Sequence, residues 1–340
     1  MPEPTRSKKR RWGCFVLLLL LLGASWFVGF FNRGHQQIGR VLEPVAKLTH
    51  PKMEEVSGLV ASAQFENILW AHNDSGNEPR LFAITTDGEV IVPEELQERL
   101  YVAEQPKGRE KLFEGIAVEE ATLVDWESIA RNENSLYITE MGNNLNARRH
   151  LGIYEVAEPD PHQTSQVTPT RFAEVQYPDQ KRFPPFSSWH FDCEAAFCRD
   201  GKLYFVTKNR PAFRLFVQQD SANLYSLDLA QLKSVNTLKL VDKIDNLGGW
   251  VTAADISPDG RWVALLCESP VQSLWLFETP QQGDRLFTDA SSKARLVFQK
   301  GGQLESLAFA KYEGQDVLVM INEERELFRI TLDEFELVED

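Results

Sequence analysis

VDWESIARNENSLYITEMGNN, running from Val124 to Asn144, contains the unit whose reading decides the fold. An acid, Glu127, sits at the head of a short apolar stretch. A polar turn follows at Glu133 and Asn134, and a second apolar run, SLYITE, comes back and ends in polar residues. The same plan recurs as EEVSGLVAS at Ser57, DCEAAFCR at Glu194, VTAADISPDG near Ala253 and QLESLAFAK at Glu305. These openings are 70, 67, 59 and 52 residues apart. Self-similarity at that scale implies a repeat architecture, in which each unit buries its faces against its neighbours.

Each opening strand, a, is followed by a strand b: ILWAHND from Ile68, SLYITEMGNN from Ser135, KLYFVTKN from Lys202, WVALLCES from Trp262 and DVLVMINE from Asp316. A strand c comes next, as in RLFAITTDG, LGIYEVAEP, NLYSLDLA, SLWLFET and ELFRITLDE. The runs are short, rich in β-branched and aromatic residues, and bounded by turn signals such as Pro258-Asp259-Gly260. A more polar strand d lies between repeats in KLFEGIAVEEA, RFAEVQYPD, NTLKLVDKI and ARLVFQK. The last repeat has none after Leu332, whereas RVLEPVAKL from Arg40 precedes the first and is free to complete the final blade. The expectation is an all-β chain: a five-bladed β-propeller of four-stranded blades, closed by an N-terminal strand.

At 340 residues, 43% hydrophobic and 25% charged, the chain has the composition of a globular protein with a large core. Arg6, Lys8, Lys9, Arg10 and Arg11 precede an uncharged run from Cys14 to Phe31, 18 residues and close to the span of a bilayer core. That run continues past the small residues Gly23-Ala24-Ser25, unlike a cleaved signal. The expected organisation is a basic cytoplasmic tail over 1–12, a transmembrane signal anchor over 13–32, and a propeller over 33–340 in the periplasm or outside the cell. The formal net charge is −14, and it is more negative still without the basic tail. A domain so acidic has no general attraction for nucleic acid or anionic surfaces, and cations are its natural company.

Cys193, Cys198 and Cys267 are odd in number and lack metal-type spacing. Strand alternation puts Cys193 and Cys198 on opposite faces, too far apart to bridge; a bond from either one to Cys267 is the alternative to three buried thiols.

In a propeller, strand a is innermost and its first residues border the central channel. Glu127, Glu194 and Glu305 therefore converge at one end of it, joined by Ser57. Three carboxylates in close approach need a neutralising cation or raised pKa values, and oxygen donors without imidazole or thiolate favour Ca²⁺. The order Ser, Glu, Glu, small or hydroxyl residue, Glu resembles that of the calcium-dependent apyrases, whose five-bladed propellers hold an axial Ca²⁺. Ser57 in EVSGL, Glu127 in WESIA, Glu194 in CEAAF and Glu305 in LESLAF match this pattern. The fourth opening departs from it, offering Ala253 where the apyrases carry Ser, and Thr252 reaches that place only with a one-residue shift. The strand-b motifs WAHNDSGN and TEMGNN resemble instead a wider group of exported bacterial propellers, phytase-like and esterase-like.

Polar residues gather where the b strands end, on the same face as the proposed ion. Asp74 and Glu140 are candidate bases, and Asn73, Asn143, Asn144, Arg148, Lys208 and Arg210 are candidates to hold an anionic substrate such as a phosphate. His72, Ser75, Arg149, His150, Asn209, Glu268, Asn322, Glu323 and Glu324 stand among them. No GxSxG elbow, phosphate-cradling loop, HExxH pair or Cys-His constellation is present, which disfavours a serine esterase. Two readings stand: a membrane-anchored, calcium-dependent hydrolase of phosphate-bearing substrates, and a non-catalytic propeller stabilised by Ca²⁺ that binds a partner at the cell envelope.

Overall fold

The computed structural model describes residues 39–97, 100–101 and 111–338. The expected basic tail and transmembrane anchor lie outside them. No helix among the described residues is long and apolar enough to cross a membrane.

Five sheets follow the expected order. The innermost strands are Val56–Ala61, Trp126–Asn132, Cys193–Arg199, Gly249–Ile256 and Leu304–Tyr312, each paired antiparallel with the strand that follows it. Every innermost strand packs beside the next, and the fifth packs beside the first. Apolar side chains form five cores, one between each pair of neighbouring blades. Trp70 and Trp126, both fully buried, share the core between blades one and two. Such two-faced burial explains the near-continuous apolar runs in the inner strands.

The wheel closes as expected. Ala46–Lys47 pairs antiparallel with Glu326–Thr331 and supplies the outer strand of blade five. All five cores lie within residues 42–332, apart from the flanking Phe335 and Val338, so residues 39–340 carry everything that the ring needs to fold as a unit.

A second closure device is absent from the sequence reading. The segment just before a strand d repeatedly adds a short parallel strand to the preceding blade. Gln166–Val167 does so on Ile116–Val118, Val235–Thr237 on Arg171–Gln176, and Arg40–Val41 on Lys293–Gln299. Glu336–Leu337 covers the rest of that last edge. These additions pair edge groups that would otherwise face solvent, and they link successive blades. Runs of two or three residues carry no periodicity to read.

One irregularity repeats in all five blades. The a–b ladder skips one residue near its start, leaving Ser57, Glu127, Glu194, Thr252 and Glu305 as bulges. A bulge places two residues opposite one and re-aims a side chain. The fourth axial residue is therefore Thr252, and the alignment on Ala253 is corrected: Ala253 pairs with Leu266 and is a core residue.

The bulge at Glu194 also overturns the expectation that Cys193 and Cys198 face opposite sides. The extra residue reverses the alternation, so that Cys193 and Cys198 point into the same core, between blades two and three. Cys267 lies in the next core, and all three are buried free thiols. Burial pushes each thiol well above its ordinary pKa.

Candidate functional site at the channel mouth

The bulged residues sit at the end of the channel where strands a begin and strands b finish. Two hydroxyls there tie blade to blade. Ser57 Oγ donates to the carbonyl of Trp126 at 2.9 Å, and Thr252 Oγ1 donates to that of Leu304 at 2.9 Å. Each acceptor immediately precedes the bulge of the following blade, so the two bonds are the same contact at two points of the wheel.

The carboxylates are distributed unevenly. On the blade-three side, Lys208 Nζ lies 3.0 Å from Glu194 Oε2, and both side chains are buried. Burial alone would weaken the ammonium, but Glu194, Asp192 and Glu305 hold it protonated, above the usual lysine range. The axial acids thus have one built-in cation. Glu194 Oε1 is buried and without a partner. Glu305 Oε1 accepts a hydrogen bond from Gln303 Nε2 at 3.0 Å.

On the side of blades one and two, Asp74, Asp125 and Glu127 each offer an oxygen within 4.8 Å of the others. Glu127 is 5% exposed, and burial, then Glu194, Asp74 and Asp125, push its carboxyl well above the ordinary range. Burial, reinforced by Glu305 and Glu55, takes Asp74 up to about 6. Burial, with Asp74 and Asp192, takes Asp125 up to about 7. Gly142 leaves room for this trio, since a Cβ there would lie 2.4 Å from Glu127 Oε1 and 2.5 Å from the Asp125 carboxylate. Glu268 and Glu323, both raised to about 7 chiefly by burial, extend the acidic field round blades four and five.

The expected substrate-holding residues are close by but largely engaged. Arg148 bonds Glu140 and the carbonyl of Gly142 and stands 3.9 Å from Asp125. Arg210 pairs with Asp192, donates to Asn144 Oδ1 at 2.7 Å, and lies 4.6 Å over the Trp250 ring. Lys208 is held by Glu194. Asn143 receives Arg148 N–H at 2.9 Å and donates to Phe191 O at 3.0 Å, while Asn73 donates to Lys52 O, so both shape turns. Glu140 accepts the backbone N–H groups of Val124 at 2.9 Å and Asp125 at 3.2 Å besides Arg148. That carboxylate is a brace for the Asp125 loop, with little capacity left to take a proton from water. Asp74 is half-buried and retains an open side. His72 is fully buried, its Nδ1 donating to Asn73 O at 3.1 Å, and burial lowers it to about 4.

Asp125 and Asp192 are missed in the sequence reading, and Thr252 takes the axial place through the one-residue shift that the bulge supplies. The signal for the two acids was present, since each stands two residues before an axial glutamate, in Asp125-Trp126-Glu127 and Asp192-Cys193-Glu194.

No protein-family model matches this chain, and no curated protein does. Among solved structures, a chain described as "Crystal Structure of Mitotic Checkpoint Complex" aligns at 11% identity over 88% of this chain and 95% of its own, with a TM-score of 0.35. A superposition that loose carries no argument about function.

Proposed function

We propose that the mouth binds a divalent cation, Ca²⁺ by its donor chemistry, and that this propeller is a calcium-dependent hydrolase of phosphate-bearing substrates. The observation that carries the reading is the trio Asp74, Asp125 and Glu127, supported by the unpartnered Glu194 Oε1 beside it. The three donor oxygens lie within 4.8 Å of one another, inside the span of about 5 Å across a Ca²⁺ coordination shell, and all are the hard oxygens that Ca²⁺ prefers. The ion's site thus moves off the axis, towards blades one and two, because Lys208 already neutralises the blade-three side. Ser57 and Glu305 frame the mouth.

Bound there, the ion would supply positive charge to a phosphoryl oxygen. The chain's own groups do the rest. Arg148, 22% exposed at its side chain, presents the most accessible guanidinium beside the trio and draws the substrate's anionic end. Asp74, the partly exposed trio member with no arginine beside it, accepts the proton of an attacking water as the new P–O bond forms and the ester or anhydride P–O bond breaks. Lys208 and Arg210 keep Glu194 and Asp192 from repelling the substrate. The acidic surroundings otherwise exclude free anions, so binding depends on the ion.

A second reading, the non-catalytic propeller stabilised by Ca²⁺, is favoured by one observation: Arg148, Lys208 and Arg210 are each already paired with a carboxylate. Purified residues 39–340 incubated with a panel of nucleotides and phosphoesters decide between the two. The hydrolase reading expects phosphate release with Ca²⁺, lost with chelator and in Asp74→Asn. Thermal stabilisation by Ca²⁺ without turnover leaves the second reading. In both, the apolar run Cys14–Phe31 would hold the domain at the outer side of a membrane.

A further inference from the structure

Two loops on the mouth side of blades two and three stand out by chemistry. Residues 181–191 and 208–219 contain no acid, in a chain with 50 of them, and carry Lys181, Arg182, Lys208, Arg210 and Arg214. A two-stranded ribbon joins the loops, Ser188–Trp189 pairing with Arg210–Pro211. Above it project Phe186, Phe213 and Phe216, exposed to 68%, 60% and 72%. The one other exposed phenylalanine among the described residues, Phe172, is less open, at 44%. Phe213 lies 5.5 Å from Trp189 and 6.2 Å from Phe186, and the Arg182 guanidinium rests 4.8 Å above the Phe186 ring.

Phe213, at φ 61°, lies in the turn that the Arg214 N–H closes onto Pro211 O at 3.2 Å, and its ring packs edge-on against Trp189 while staying 60% exposed. Most of the surface of the three phenylalanine rings is therefore left open to solvent.

We propose that this lip docks onto an anionic lipid bilayer, with Phe186, Phe213 and Phe216 entering the headgroup boundary and Lys181, Arg182 and Arg214 meeting lipid phosphates. Aromatic rings flanked by basic side chains match that interface on both counts. Charges beyond a Debye length, about 10 Å at 0.1 M salt, are largely screened; of the acids that border the two loops, Asp192 is paired with Arg210 and Asp179 accepts the Tyr225 hydroxyl, while Asp220 follows the second loop.

Co-sedimentation of residues 39–340 with phosphatidylglycerol vesicles, in chelator so that no cation bridges acids to lipid, tests the docking. Binding is expected to phosphatidylglycerol, to fall with added salt, and to be much weaker to pure phosphatidylcholine. Lys181→Gln/Arg182→Gln/Arg214→Gln should lower affinity on the order of a hundredfold, each basic group contributing roughly fivefold. Phe186→Ser/Phe213→Ser/Phe216→Ser should abolish binding while leaving the melting temperature unchanged or raised. No sedimentation with either lipid, or equal binding by the charge variant, overturns the proposal. So does a dimer in sedimentation equilibrium that the phenylalanine variant converts to a monomer, since the lip is then an interface between two copies of this chain.

Discussion

Lys208 Nζ stands 3.0 Å from Glu194 Oε2 inside the wheel, and the other oxygen of that carboxylate has no partner. A buried pair of this kind is a poor contributor by comparison with apolar packing, but removing one member strands the other charge. Lys208→Met is therefore expected to destabilise the empty propeller by about 3 kcal/mol. For a domain this size that is a fall of roughly 5–10 °C in melting temperature. Saturating Ca²⁺ should recover more of that loss than it adds to the wild type, because the variant leaves Glu194 free to hold the ion. Equal calcium shifts in the two proteins, read by differential scanning fluorimetry, count against a shared site.

Protons and a cation compete for the mouth. Burial is the largest cause lifting Asp74 to about 6 and Asp125 and Glu323 to about 7. Carboxyls whose folded pKa exceeds the unfolded value, about 4, keep protons that the unfolded chain has already released. Their stabilising share is present at low pH and lost as the pH rises from about 4 to 7. In chelator the melting temperature should drop between pH 5 and pH 8, and Ca²⁺ should flatten the drop by taking the protons' place. A calcium shift as large at pH 5 as at pH 8 would contradict this.

Gly142→Ala isolates the trio from the rest of the wheel. The added methyl meets the far ends of Glu127 and Asp125, side chains that swing aside at little cost to the fold, but their movement breaks the convergence. The expected outcome is a nearly unchanged melting temperature in chelator with calcium affinity reduced tenfold or more. Isothermal titration with Ca²⁺ measures it, and unaltered affinity would place the ion elsewhere.

Thr252→Ala removes the hydroxyl that donates to Leu304 O and should cost about 1 kcal/mol, with Thr252→Ser restoring it. Ala253→Ser, by contrast, puts a hydroxyl into an apolar core and should be destabilising in its own right. Urea unfolding of the three variants separates the two positions. If Thr252→Ala is neutral, the hydroxyl is not part of the blade-to-blade contact.

The structure bears on the sequence reading unevenly. Strand order, five blades and closure by the segment after Arg40 were readable because each depends on local alternation and turn residues repeated five times. The parallel strands of two or three residues were not, because their pairing is chosen by neighbouring blades and leaves no pattern in so short a run. Asp125 and Asp192 went unremarked because an acid two places before another looks like loop composition until the bulge turns both towards the channel.

The repeated order of residues by itself determined the wheel and put Ser57, Glu127, Glu194 and Glu305 at equivalent places in their blades, since a repeated unit sets like residues around a common axis. Register was decided only by the folded sheets. One extra residue per inner strand moved the fourth axial position from Ala253 to Thr252, turned Cys193 and Cys198 onto one face, and left the acids divided between Lys208 and an open trio. A bulge is a compromise between two paired strands and the blades on either side, so its position follows from packing across the ring and not from any single segment.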